Sequence, residues 1–358
     1  MTACPARTGV LLVNLGSPDA PETGPVRRYL REFLSDPFVL TMPAVARWLL
    51  LNLVILPTRP RKTAAAYRKV WTSQGSPLLV HSREFAQGVA DALGNDFHVE
   101  LAMRYGKPSL DEVLERMQSG GVNRLVVVPL FPLFATANHS SIALRIEELF
   151  DRLDFHPETT TVPVFYDDPG WIQAVARAAR PTLDEVQPEH VLFSFHGLPE
   201  SQVTATDASG LVCGVSEDCC DRIREPNRDC YRAQSFEHAR RVAAELGLAP
   251  GSWSVAFQSR LTKVPWLRPF TDHVLDELPA QGTRRLVVLC PAFVSDNLET
   301  LEEIGMRGRA QWKNAGGEVL GLAPCPNAQP EWVDRVAEMV RASASPESSA
   351  SATETPAR

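Results

Sequence analysis

Val191–Pro199 reads VLFSFHGLP, and Val10–Pro18 reads VLLVNLGSP. The two align without gaps: an apolar run of strand character, then a Gly and a Pro that turn the chain. Further along, Arg124–Phe131 (RLVVVPLF) matches Arg285–Phe293 (RLVVLCPAF) with one residue inserted, and the pairs occur in the same order. The chain reads as a duplication.

Outward from these segments, strand candidates recur at Val10–Leu15, Val99–Met103, Leu125–Pro129, Thr161–Phe165, Val191–Phe195, Trp253–Phe257, Leu286–Leu289 and Val319–Leu322. Helical patterns lie between them, such as Val26–Leu34, Arg83–Leu93, Leu110–Met117 and Ser141–Leu149. Buried strands alternating with helices specify an α/β fold. Duplication makes it two similar Rossmann-like domains, each a four-stranded parallel sheet flanked by helices, with an active-site cleft expected between them. The domains span 1–165, with a lip region near 44–57, and 166–327, with a cysteine-rich insertion at 200–230. A C-terminal helix at 328–340 is expected to pack back. Residues 341–358, Ala/Ser/Glu/Thr/Pro with nothing to bury, read as a disordered tail.

The 358 residues are 44% apolar and 22% charged, ordinary globular usage with ample material for a core,. A net charge of −7 argues against nucleic-acid binding, which needs a basic surplus,. The 29 prolines mostly close apolar runs, so they punctuate elements,. No targeting segment is visible, which points to the cytoplasm. The most lipid-like stretch, Trp48–Leu56 (WLLLNLVIL), is too short to span a membrane,. It suits a lip that touches the bilayer interface, or a buried helix.

Ligands of open α/β sheets sit beyond the carboxyl ends of the strands. His196 stands there, able to bind a metal or accept a proton near neutral pH. In FVSDNLETLEEI (Phe293–Ile304), a helix capped by Ser295 or Asp296 would present Glu299 and Glu303 at i and i+4 on one face,. Asp296 with Glu299 also has the spacing of a capping box. Imidazole and carboxylates without thiolates suit a metal that must leave again. Leu15, Phe131, Phe134, Trp266 and Phe293 would add apolar walls, with Tyr67 and Trp71 upstream. Arg59, Arg61, Lys62, Arg104 and Arg260 would add a basic rim for ligand carboxylates. Such a slot fits a flat, acidic, metal-accepting ligand.

SFHGLP (Ser194–Pro199), FVSDNLETLEEI, LLVNLGSP (Leu11–Pro18), RRYLREFLSD (Arg27–Asp36) and FQSR…PWL (Phe257–Leu267) together resemble the ferrochelatases, over residues 9 to 335. The resemblance implies an enzyme, a lyase of haem biosynthesis that inserts Fe2+ into protoporphyrin IX. Coproporphyrin III and other tetrapyrrole chelatases are the neighbouring readings, and a porphyrin or haem carrier is the non-enzymatic one. The implied catalytic residues are His196, Glu299 and Glu303, with His196 and Glu299 meeting the substrate iron. Leu15, Arg59, Lys62, Tyr67, Arg104, Gln258, Ser259, Trp266 and Phe293 match porphyrin-pocket or lip positions. Porphyrin and ferrous iron are the implied partners, with peripheral contact to the inner face of the membrane. Two departures stand out: Asn297 replaces a His of animal enzymes, and the usual Gly-Asp-Pro-Tyr-x-x-Gln appears as Arg228-Asp229-Cys230-Tyr231-Arg232-Ala233-Gln234 after a long insertion.

That insertion carries Cys213, Cys219, Cys220 and Cys230 as C-x5-C-C-x9-C. Four thiols complete a set for a [2Fe–2S] cluster or for structural zinc. The paired C-x2-C knuckles usual for zinc are missing, and adjacent Cys219 and Cys220 suit two irons better. Some bacterial ferrochelatases carry an internal cysteine segment of this kind. Cys4, Cys290 and Cys325 read as ordinary thiols.

Overall fold

The computed structural model describes residues 7–214 and 218–345, and in them eight strands form two four-stranded sheets. β1 (Arg7–Asn14), β2 (Phe97–Met103), β3 (Val122–Pro129) and β4 (Glu158–Thr161) run in the order β2-β1-β3-β4. β5 (His190–His196), β6 (Trp253–Gln258), β7 (Arg285–Leu289) and β8 (Val319–Leu322) run in the order β6-β5-β7-β8. Every pairing is parallel. The same topology thus occurs twice, as the repeated segments require.

The central strands explain the sequence pattern. Val10–Val13 and Leu192–Phe195 are fully buried, so both runs are continuous rather than alternating,. The edge strand β4 departs from expectation. The apolar run Thr161–Phe165 pointed to it, yet the strand is Glu158–Thr161, largely exposed. It pairs only with β3, so it needs no apolar faces, and Pro163 lacks the N–H that a continuing ladder needs,.

The chain divides into two compact units. One comprises Met1–Leu130, Ala137–Pro163 and Ala328–Arg358; the other comprises Phe131–Thr136 and Val164–Asn327. Phe131–Thr136 joins the second unit because the Phe134 N–H donates to Gln234 Oε1 (2.7 Å) and the Phe165 N–H to the Pro132 carbonyl (3.1 Å). The C-terminal helix, Pro330–Ala344, belongs to the first unit: Trp332 stacks on Phe85, and Val333 fills the space that Gly88 leaves. This helix runs into the segment read as a tail from 341. Arg341 donates to the Ala92 carbonyl (2.6 Å), and Arg124 donates to that of Ala344 (2.9 Å). Residues 346–358 and Cys4 lie outside the described residues.

Behind β5 in the second unit, His238 is fully buried. Its ring stacks on Trp171, meets Phe195 edge-on, and hydrogen-bonds through Nδ1 to the Tyr166 carbonyl (2.5 Å). Burial pushes its pKa down to about 4. Once unfolded, the imidazole takes up its proton near the usual ~6.5. Between these values the unfolded chain binds one more proton than the native chain, so this residue's contribution to stability falls as pH falls, by about 1.4 kcal/mol per unit. Urea midpoints at pH 7.5 and 5 should therefore drop less in His238→Phe than in the wild type; equal drops would mean that His238 titrates normally in the fold.

Candidate functional site

His196 is the last residue of β5 and is half-buried. Its Nδ1 lies 2.7 Å from the carbonyl oxygen of Gly197. A carbonyl only accepts, so Nδ1 carries the hydrogen and the lone pair is on Nε2. Burial lowers the pKa of the ring, and the charge of Glu303 opposes that shift. The outcome is a neutral imidazole with Nε2 available to a proton or a metal. Gly197 itself cannot be replaced freely: a Cβ there would lie 2.9 Å from the Gln258 carbonyl oxygen, which accepts the Gly197 N–H at 2.6 Å.

The acidic helix differs from the sequence expectation. It begins at Glu299, a few residues later than a cap at Ser295 or Asp296 would start it, and Glu299–Gly308 is π-helical, a form often found at functional sites,. Neither Ser295 nor Asp296 caps it. Asn297 Oδ1 accepts the N–H groups of Glu299 (2.9 Å) and Thr300 (3.1 Å) instead, as a capping side chain does,. Asp296 is buried below, accepting from the Thr300 hydroxyl (3.0 Å) and from Asn327 Nδ2 (2.8 Å). The capping-box reading of Asp296 and Glu299 is therefore corrected, and Asn297 has a local structural task. Burial raises the Glu299 carboxyl to about 7, with a further push from the charge of Glu303. The carboxylate whose charge bears on the His196 ring is Glu303. Glu303 accepts from the Ser259 N–H at Oε1 (3.2 Å) and the Ser259 hydroxyl at Oε2 (2.6 Å).

Of the other residues in this unit, Phe293 meets His196 edge-on at 6.3 Å between ring centres. Trp266 is buried, lies against Gly197, and has no hydrogen-bond partner for its Nε1 among the described residues. Gln258 is not free for a ligand. It is buried, its Oε1 accepts from the Ser194 hydroxyl (2.6 Å), and its Nε2 donates to the Glu299 carbonyl (3.2 Å). Arg260 is paired with Asp272 and lies over the Phe270 ring.

Apart from Phe131 and Phe134, which fall in the second unit, the first unit holds the remaining expected residues. Leu15 is half-buried just past β1, and Arg59, Arg61 and Lys62 are exposed on the helix Leu56–Val70. Tyr67 is buried edge-on against Trp71. Arg104 is a correction to the basic rim. Its Nη2 donates to buried Asp36 (2.6 Å) and its Nε to the Ser141 hydroxyl (2.7 Å), while the Tyr105 hydroxyl donates to the same Asp36 oxygen (2.8 Å). The guanidinium is tied into its own unit through Nε and Nη2. The Asp of RRYLREFLSD was the missed signal.

In the cysteine segment, Cys219 and Cys220 Sγ are 3.7 Å apart, and Cys230 is near enough to Cys213 and Cys220 to act on their thiols electrostatically. Two side chains shape this loop. Asp207 accepts the N–H groups of Ser209, Val212 and Cys213, and Asn227 donates to the Cys219 and Arg222 carbonyls. Among the described residues, no three His, Cys, Asp or Glu side chains are placed to hold a metal ion.

The family model described as Ferrochelatase matches residues 7–344. The chain is 44% identical to a ferrochelatase of Coxiella burnetii, over 94% of both chains. It is 40% identical to one of Bdellovibrio bacteriovorus, covering 94% of this chain and 99% of that one. A solved structure of SirB from Bacillus subtilis with Fe3+ matches 95% of this chain and 97% of that one, with a TM-score of 0.52 at 15% identity, a likeness of fold.

Proposed function

The chain belongs to the ferrochelatase family of porphyrin metal chelatases, and on that premise we propose that it inserts Fe2+ into protoporphyrin IX through His196, Glu299 and Glu303. The observation that carries this reading is the hydrogen bond from His196 Nδ1 to Gly197, which leaves Nε2 as a base beside a fixed carboxylate. Insertion exchanges two pyrrole protons for one dication. Nε2 of a neutral imidazole accepts one such proton, and a carboxyl poised near 7 accepts and releases another close to neutrality,. Phe293 supplies an apolar wall at the imidazole edge.

His196→Ala should abolish conversion of the free-base spectrum when protein, Fe2+ and protoporphyrin are mixed anaerobically, with porphyrin affinity nearly intact. Retention of more than about a tenth of wild-type turnover, roughly 1.4 kcal/mol in barrier, would remove His196 from the mechanism. Coproporphyrin III as a parallel substrate tests the choice of ring; faster conversion of it would overturn protoporphyrin.

A [2Fe–2S] centre on Cys213, Cys219, Cys220 and Cys230 is the second part of the proposal. The donor set fits. Two thiolates on one tetrahedral metal, each at ~2.3 Å, stand about 3.8 Å apart, close to the 3.7 Å between Cys219 and Cys220,. Hydrogen bonds accepted by Asp207 and donated by Asn227 already organise the loop around the thiols. When bound, the centre would add a one-electron couple and a cross-link of the loop. Anaerobically purified protein should be reddish-brown with about two irons and two labile sulfides per chain. Ser at any of the four positions should bleach it, and Ser at Cys290 or Cys325 should not. A colourless, fully active wild type would eliminate the cluster.

Peripheral membrane contact is the third part. Trp48 is 59% and Leu53 64% exposed, and Val45, Leu49 and Val54 are exposed with them, while Leu51, Ile55 and Leu56 are buried. The stretch is therefore apolar on an open face as well as an inner one, with exposed Arg59, Arg61 and Lys62 following it, a composition suited to an anionic bilayer surface,. No helix among the described residues is long and apolar enough to cross a membrane. Trp48→Ser with Leu53→Ser should abolish sedimentation with anionic vesicles and leave the melting temperature unchanged. Retained vesicle binding, or a large loss of stability, would overturn the surface role.

A further inference from the structure

Ser259 matches a porphyrin-pocket position by resemblance, yet its contacts in the structure are of a different kind. Directly after β6 it holds φ = +64°, a left-handed backbone that costs a residue with a Cβ free energy,. Asp154 and Gln187, also left-handed, are helix C-caps, where that conformation is routine,. Ser259 ends no helix. Its N–H and hydroxyl both reach the Glu303 carboxylate, at 3.2 Å to Oε1 and 2.6 Å to Oε2. The preceding residue reaches the same helix, since Gln258 Nε2 donates to the Glu299 carbonyl at 3.2 Å. Two successive residues at the end of β6 thus hold the backbone of Glu299 and the side chain of Glu303.

We infer that Ser259 is a positioning residue, a two-point clamp that fixes the Glu303 carboxylate for metal insertion, and not a porphyrin contact. Glycine would take up the turn without strain and keep the N–H bond, but would drop the hydroxyl bond. Serine is the small side chain that supplies both donors from this backbone, and the strain is held by the charge-assisted pair it makes. The inference rests on the proposed catalytic role of Glu303.

The test is a double-mutant cycle with Ser259→Gly and Glu303→Ala. Ser259→Gly removes the hydroxyl and relieves the turn, so its melting temperature should equal or exceed that of the wild type. Its kcat should fall roughly tenfold, equivalent to about 1.4 kcal/mol, with porphyrin affinity unchanged by fluorescence titration. In the Glu303→Ala background the same glycine should change kcat less than about twofold, because nothing remains to clamp. Wild-type turnover in Ser259→Gly, a loss of porphyrin affinity, or losses that multiply in the double variant would each overturn the clamp while leaving Glu303 in its role. Wild-type turnover in Glu303→Ala would overturn the catalytic role and the clamp together.

Discussion

In each unit, the backbone that follows the central strand lies so close to the end of the neighbouring strand that no side chain fits between them. A Cβ on Gly16, after β1, would sit 1.8 Å from the Tyr105 carbonyl oxygen; one on Gly197, after β5, would sit 2.9 Å from that of Gln258. Backbone hydrogen bonds continue across both contacts, from Tyr105 N–H to the Leu15 carbonyl at 2.9 Å and from Gly197 N–H to the Gln258 carbonyl at 2.6 Å. Parallel pairing is thereby carried past the last ladder residue, and Leu15 and His196, the residues just before the glycines, are held at the sheet edge by rigid backbone. The precision of an imidazole at such an end derives from this contact, because the carbonyl that orients Nδ1 belongs to Gly197, the residue whose N–H is fixed on Gln258.

The polar groups beneath the second unit's site follow from the same constraint. Burying the end of β6 takes the Gln258 amide out of water, and an unpaired buried amide would cost several kcal/mol. Its oxygen receives the Ser194 hydroxyl, which is itself hydrogen-bonded to that of Thr271, and its nitrogen reaches the Glu299 carbonyl. A side chain that would otherwise be a penalty joins β5, β6 and the first turn of the π-helix. The acidic residues project from a helix anchored to the sheet, with Asn297 closing its free N–H groups. In the first unit, Asp36 has the comparable part, gathering Arg104, Tyr105 and Ser141 onto one buried carboxylate.

Sequence alone determined the duplication, the parallel α/β class and the position of His196, because apolar runs closed by Gly and Pro are properties of a few adjacent residues. It also marked Glu299 and Glu303, and the four cysteines, as groups. Tertiary structure decided which of these side chains remain available. Arg104 and Gln258 look from sequence like ligand contacts, and both are held by partners distant along the chain. The edge strand β4 escaped the apolar pattern because a strand paired on one side need not be apolar. The π-helix and the left-handed Ser259 were not legible either. The Asn297 cap is a local contact to the second and third residues after it, which the sequence offered among other candidates. The Ser259 contact is set by where β6 ends relative to the acidic helix, a distance in space that no local spacing of residues encodes.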